Sequence, residues 1–181
     1  MIIPGFLISW LTFPGVIVHE LAHAIFCRLY GVAIYEVKFF RFAVGLRQPV
    51  GYVIHEGAKK ASQNLMISIG PFFVNTIIGG IIGAPAAIPV FKLGSFDPLD
   101  LLLIWLGVSI AMHAFPSTGD AASIRRALKH PDTPTATKIW ATPIMGLIYL
   151  GALGSMFWLD ALYGVAVVGL IPLGIVYLFS H

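Results

Sequence analysis

The chain has 181 residues, of which 58% are apolar and only 10% are charged, and its mean hydropathy is +0.90. Soluble globular chains run nearer about 45–50% apolar and about 25% charged, so an ordinary soluble domain is excluded. The single cysteine, Cys27, excludes an intramolecular disulfide framework and a multi-cysteine zinc site. The net charge of +3 is read as orienting the chain in a bilayer and not as binding nucleic acid.

Charged residues are rare enough to mark the connections between five apolar stretches: Ile2–Cys27, Ala61–Val90, Leu99–Phe115, Ile139–Leu159 and Ala161–Ser180. A helical span takes about 20 mostly apolar residues. The expectation is an all-α polytopic membrane protein of about five transmembrane helices, one integral membrane domain over residues 1–181 in contact with the lipid bilayer. The first stretch has no basic residue ahead of it and is interrupted by His19 and Glu20, which predicts a retained helix and not a signal peptide. Pro14-Gly15 predicts a kink or a restart within it.

Residues 32–55 carry β-branched and aromatic residues around Gly45, Pro49 and Gly51, a composition that predicts a two-stranded hairpin at the cytoplasmic interface. Ten of the eleven lysines and arginines lie in the connections after spans one and three, and only Lys92 follows span two. Because these residues concentrate on the cytoplasmic side, the amino terminus is expected outside and the carboxy terminus in the cytoplasm. Gly79, Gly80 and Gly83 predict close helix packing, and Trp105, Trp140 and Trp158 read as packing or interfacial anchors.

The chemistry concentrates in His19-Glu20-Leu21-Ala22-His23. Residues four apart share a helix face, so both imidazoles can grip one metal ion while Glu20, beside the first, reaches the water that attacks. Zinc suits two histidines and a carboxylate with one position left open, and it brings the pKa of water bound there to about 7. Glu20 would take the proton of that water and pass it to the leaving amine. A carboxylate and two imidazoles inside an apolar span are costly to desolvate, and such groups are by default functional. The pattern predicts metal-assisted hydrolysis.

A third protein ligand is needed. No glutamate follows Glu56, and Phe26 and Leu29 occupy the positions where an extended HExxHxxGxxH motif has its glycine and third histidine. The histidines lie roughly 12–16 Å from the cytoplasmic end of their helix. Asp97, Asp100 and Asp160 fall on the other side by the charge count. Asp120 follows span three after Pro116-Ser117-Thr118-Gly119, a stretch able to turn back toward the histidines. Asp120 is therefore the expected third ligand, or else only an N-cap for a helix from Ala121 to Lys129, the two roles being compatible. His113 is the alternative, as a ligand or as an oxyanion donor. Asn75, in Gly70-Pro71-Phe72-Phe73-Val74-Asn75, either faces the site, holding substrate or water, or binds helices together.

The paired histidines in one span, the Gly-Pro-x-x-x-Asn in the next and the aspartate after the third resemble the site-2 protease family of intramembrane zinc metalloproteases. The resemblance covers residues 14–121. It implies a three-span catalytic core over 14–121 with a β-hairpin at 32–55, residues 138–181 forming an accessory helical hairpin. His19, His23 and Asp120 would bind Zn2+, and Glu20 would be the acid/base residue. The sheet edge would pair with an unwound membrane-protein or membrane-peptide substrate. The sequence departs from the family pattern in His113-Ala-Phe-Pro116 where Asn-x-x-Pro is usual, in a spacing to Asp120 shorter by one, and in Ala121 in place of glycine. It also has no PDZ-like domain, the pattern of a minimal or divergent member. The alternative from another class is a catalytically inactive zinc-binding membrane scaffold or metal carrier. A di-iron hydroxylase would need several histidine boxes, and this chain has one close pair.

Overall fold

The computed structural model describes residues 5–42 and 49–180. The start of the first apolar stretch at Ile2, the hairpin residues Gly45 and Arg47, and His181 lie outside the described residues.

The chain is mostly helical. Helix α1 (Gly5–Leu11) breaks at Thr12 and α2 (Phe13–Leu29) leaves at 91° to it. The restart expected at Pro14-Gly15 falls two residues earlier, and Pro14 sits in the first turn of α2, where its missing N–H has no intrahelical partner to lose. Strands β1 (Ile34–Lys38) and β2 (Tyr52–His55) pair antiparallel, Lys38 opposite Tyr52 and Ile34 opposite His55, with an irregularity between Ile34 and Glu36. Four helices follow: α3 (Ala61–Ile88), α4 (Pro98–Met112), α5 (Thr118–Lys129) and α6 (Thr135–Gly154). The last two, α7 (Leu159–Val165) and α8 (Ile171–Phe179), are joined through a π-helical turn, Ala166–Leu170.

The expected two-stranded hairpin is present, and it lies along α2. Its base is held at the far end of α2, where Val32 N–H donates to the Cys27 carbonyl (2.8 Å). From there it runs back along the helix. Gly51 lies against Glu20 and Val16, Phe40 stacks near Phe13 with ring centroids 5.7 Å apart, and Phe42 meets Trp10 at 5.6 Å. The hairpin thus flanks α2 over nearly its full length, and the aromatic side chains that favoured strand structure also pair with the rings of α1 and α2.

Helix α3 is the centre of the fold, packing against α2, α4, α5 and the turn between α7 and α8. Its contact with α4 is made by glycine. A methyl group on Gly79 would sit 2.7 Å from the Gly107 carbonyl oxygen, and one on Gly107 would sit 2.9 Å from Gly83 Cα, so the two backbones touch. Overpacking of this kind typically costs about 1–3 kcal/mol. Gly79→Val is therefore expected to lower the melting temperature by several degrees in detergent, while Gly146→Ala, whose added carbon meets nothing within 4 Å, leaves it in place.

Among the described residues two helices are long and apolar enough to cross a bilayer, Ala61–Leu93 and Leu159–Phe179, and the bent α1–α2 pair makes a third if taken as one span. By length and composition, two or three of the five expected spans are supported. Helix α4 has only 15 residues, about 22 Å at 1.5 Å per residue, against a hydrocarbon thickness of about 30 Å. Helix α6 opens on Thr135-Ala-Thr-Lys138 and carries Thr142-Pro143, which dilutes its apolar character. It packs through Ala141 and Ile148 on Leu65, Ala121 and Ile124.

Candidate metal centre

His19 and His23 are one helical turn apart on α2, and both are buried. Their Nδ1 atoms point at backbone carbonyls from two other helices. His19 Nδ1 donates to the His113 carbonyl at the end of α4 (2.7 Å), and His23 Nδ1 donates to the Ile67 carbonyl of α3 (2.9 Å). A carbonyl can only accept, so each Nδ1 carries the proton and each Nε2 presents a lone pair. The two Nε2 atoms face each other at 3.2 Å. Asp120 Oδ1 lies 3.4 Å from His23 Nε2, and the ligand atoms of the three residues all fall within 4.8 Å of one another.

Three electron-rich atoms converging in a buried site repel one another unless a cation lies between them. Ligands held about 2.0–2.1 Å from a tetrahedral zinc lie roughly 3.3 Å from each other; the 3.2 and 3.4 Å separations match this, and the third pair is within 4.8 Å. The donor set of two imidazoles and one carboxylate fits zinc and leaves a fourth position open.

The carbonyls that hold the imidazoles are available for reasons visible in the chain. Pro71 has no N–H, so the Ile67 carbonyl, four residues earlier in α3, lacks its helical partner and is free for His23. Gly70, next to it, makes room for the Phe26 ring of α2, which a Cβ would strike. The His113 carbonyl is free because α4 ends at Met112. Pro71→Ala restores an N–H that competes for the Ile67 carbonyl. It is expected to weaken zinc binding by about tenfold, at the low end of the effect of a lost supporting hydrogen bond, as read by competitive titration against a chelator; unchanged affinity would contradict this account.

Asp120 is brought to the histidines by the start of α5. The N-cap of that helix is Ser117, so the helix begins three residues earlier than an N-cap at Asp120 would have it. Asp120 occupies the third helical position of a capping box. Its Oδ2 accepts from Ser117 N–H (2.8 Å) and Ser117 Oγ–H (2.6 Å), while Oδ1 remains turned to His23. One oxygen serves the fold and the other is left for a metal.

Glu20 is outside this cluster and half-buried, beside Gly51 of the hairpin. With His19 it lines two clefts. The larger, about 1240 Å³, runs past β2 and the first turns of α3 and α5; the smaller, about 380 Å³, opens toward α1.

His113 contributes its backbone to His19, and its ring turns elsewhere. Thr12 Oγ–H donates to the Ile8 carbonyl (2.7 Å), so His113 Nε2–H donates to Thr12 Oγ1 (2.8 Å). Among the described residues the ring is not part of the metal-ligand group. Asn75 is fully buried, and its amide donates to the carbonyls of Gly15 (3.1 Å), Ile110 (3.1 Å) and His113 (3.3 Å). It ties α3 to α2 and α4 and shares with His19 the carbonyl that orients that imidazole. Sequence reasoning did not single out Ile67 or Ser117. The signal for the first is a proline four residues downstream, and for the second a serine three residues before the aspartate.

The family described as "Putative zincin peptidase" matches residues 12–134, a segment that contains every residue of this centre. No curated protein and no solved structure matches the chain.

Proposed function

The chain belongs to this family of zincin-type peptidases, and from that premise we propose that it is an intramembrane zinc metalloprotease that hydrolyses a peptide bond in a membrane-embedded substrate. The observation that carries the reading is the convergence of two Nε2 lone pairs and Asp120 Oδ1 on one point inside an apolar helical bundle.

His19, His23 and Asp120 would hold the ion. Zinc bound there supplies Lewis acidity, polarising a peptide carbonyl and making water acidic near neutral pH. Glu20 accepts the proton of the attacking water at its carboxylate and delivers it to the leaving nitrogen. The Ile67 and His113 carbonyls, the latter also bonded by Asn75, keep the imidazoles from turning. The large cleft admits water to a site otherwise walled by apolar helices.

The same cleft is lined by all of β2. An unwound substrate segment can add to that strand by backbone hydrogen bonds, which hold its scissile carbonyl extended beside Glu20. The lysine and arginine bias supports a cleft that opens on the cytoplasmic side. In this respect the reading follows the site-2 protease resemblance more closely than that of a soluble zincin. A glutamate on a later helix has no counterpart here, since none follows Glu56.

Purified protein in detergent is expected to contain about one zinc per chain and to cleave a synthetic transmembrane peptide carrying a helix-breaking Gly-Pro pair. Chelation should abolish the cleavage and added zinc restore it. A folded, zinc-loaded protein that cleaves no such peptide would favour the non-catalytic scaffold or metal carrier instead.

A further inference from the structure

We propose that the outer rim of the large cleft selects substrates with acidic side chains near the scissile bond, a reading that rests on the proteolytic function above. Lys59 and Lys60, at the start of α3, and Arg126, on α5, line the same cleft as His19, Glu20, His23 and Asp120. All three cations are exposed. Among the described residues the ion pairs are His23 with Asp120 and His130 with Asp132, so no lysine or arginine is neutralised by a carboxylate. Of the acidic groups lining the cleft, Glu20 and Asp120 belong to its inner end and Asp132 lies 3.6 Å from His130. Against these three cations the outer end carries one carboxylate, Asp132, so its balance is positive.

Distance along the cleft sets where that charge meets a substrate. Strand β2 starts beside Gly51, against Glu20, and ends at His55. At about 3.3 Å per residue its four residues cover roughly 13 Å. Arg126 lies six positions beyond Asp120 on α5, a rise of about 9 Å. A segment paired with β2 therefore passes the cations roughly three to five residues from its reacting carbonyl. Aspartate or glutamate there gains an exposed ion pair, and lysine or arginine meets repulsion. Exposed pairs are individually weak, so each acidic residue should favour cleavage by roughly two- to fivefold, and high salt should erase the preference.

The test uses the full-length zinc-loaded protein in neutral detergent and a synthetic library of extended peptides, each with one acidic, neutral or basic residue at a varied distance from a fixed cleavable sequence. Products are mapped by mass spectrometry. Wild type should favour acidic residues three to five positions from the cut, on one side of it. The triple variant Lys59→Glu, Lys60→Glu, Arg126→Glu should keep cleaving and prefer basic residues there. A flat wild-type profile, or an acidic preference that survives the triple reversal, overturns the proposal while leaving proteolysis intact. Absence of all cleavage by zinc-loaded protein overturns the underlying function. A parallel series in vesicles of neutral lipid, with or without anionic lipid, separates the other source of negative charge. If charge reversal changes only the response to anionic headgroups and the peptide profile is flat, the rim binds lipid and the proposal fails.

Discussion

Glu20→Gln is expected to retain about one zinc per chain and to lower the rate of peptide hydrolysis by roughly 10²- to 10⁴-fold, the range that general acid–base catalysis contributes. Glu20 stands apart from the candidate metal ligands. It is absent from the group of converging ligand atoms, which His19, His23 and Asp120 supply, so its loss leaves the donor set complete. Its side chain rests against Gly51, where a Cβ would lie 2.8 Å from Glu20 Cγ. Glutamine keeps that shape and the hairpin contact, and it loses only the ability to take a proton. Elemental analysis and a turnover assay on the same preparation check both halves. Full activity in the variant would place water activation elsewhere, and loss of zinc would make Glu20 part of the metal centre.

The convergence of the two histidines is legible because i and i+4 on a helix share one face, whatever the rest of the chain does. Much of its support was also written locally. Pro71 frees the carbonyl of Ile67 by an omission that any reader of the sequence can count. What was not local was harder to read. His113 drew attention as a titratable ring, yet the atom that reaches His19 is its backbone oxygen, exposed because α4 ends there. Nothing in a histidine's identity reports the fate of its carbonyl. Asp120 is reached by elimination across nearly a hundred residues, but the sequence leaves its place in the helix open, and Ser117 takes the N-cap three residues earlier.

The membrane spans show the same division between composition and geometry. Hydropathy identifies apolar stretches correctly, but it counts residues and not ångströms. Leu99–Phe115 reads as a span, whereas α4 ends at Met112 so that residues 113–117 can turn and deliver Asp120. The first stretch reads as one span kinked or restarted at Pro14-Gly15, whereas it turns through 91° at Thr12. That corner is fixed by tertiary partners: Trp105 Nε1 donates to the Leu11 carbonyl (3.1 Å) and His113 bonds Thr12. In both places regular helix gives way next to the histidines, where side chains from separate helices must meet.

Asp120→Asn and Asp120→Ala are expected to lose zinc alike but to differ in the stability of the metal-free protein. The two oxygens of Asp120 have separate tasks, Oδ2 in the capping box with Ser117 and Oδ1 facing His23. Asparagine can keep its carbonyl oxygen on the Ser117 N–H while turning an amide N–H toward the histidine lone pair, so the cap survives and the ligand does not. Alanine removes both; the Ser117 N-cap bond to the backbone N–H of residue 120 stays, while the bonds that Asp120 accepts from Ser117 are lost, at about 0.5–1.5 kcal/mol for a typical hydrogen bond. Zinc affinity should fall in both variants by more than the roughly 10–100-fold that a lost supporting hydrogen bond costs. The melting temperature of the apoprotein should drop only in the alanine variant. His23→Ala provides the comparison, losing zinc while the α5 cap is untouched. Zinc held at wild-type affinity by Asp120→Asn would reassign the third ligand to His113, whose ring would first have to leave Thr12. The double variant Asp120→Asn, Thr12→Val, which removes that restraint, would then bind zinc more tightly than Asp120→Asn alone. If Asp120 is the ligand, the double variant binds no better.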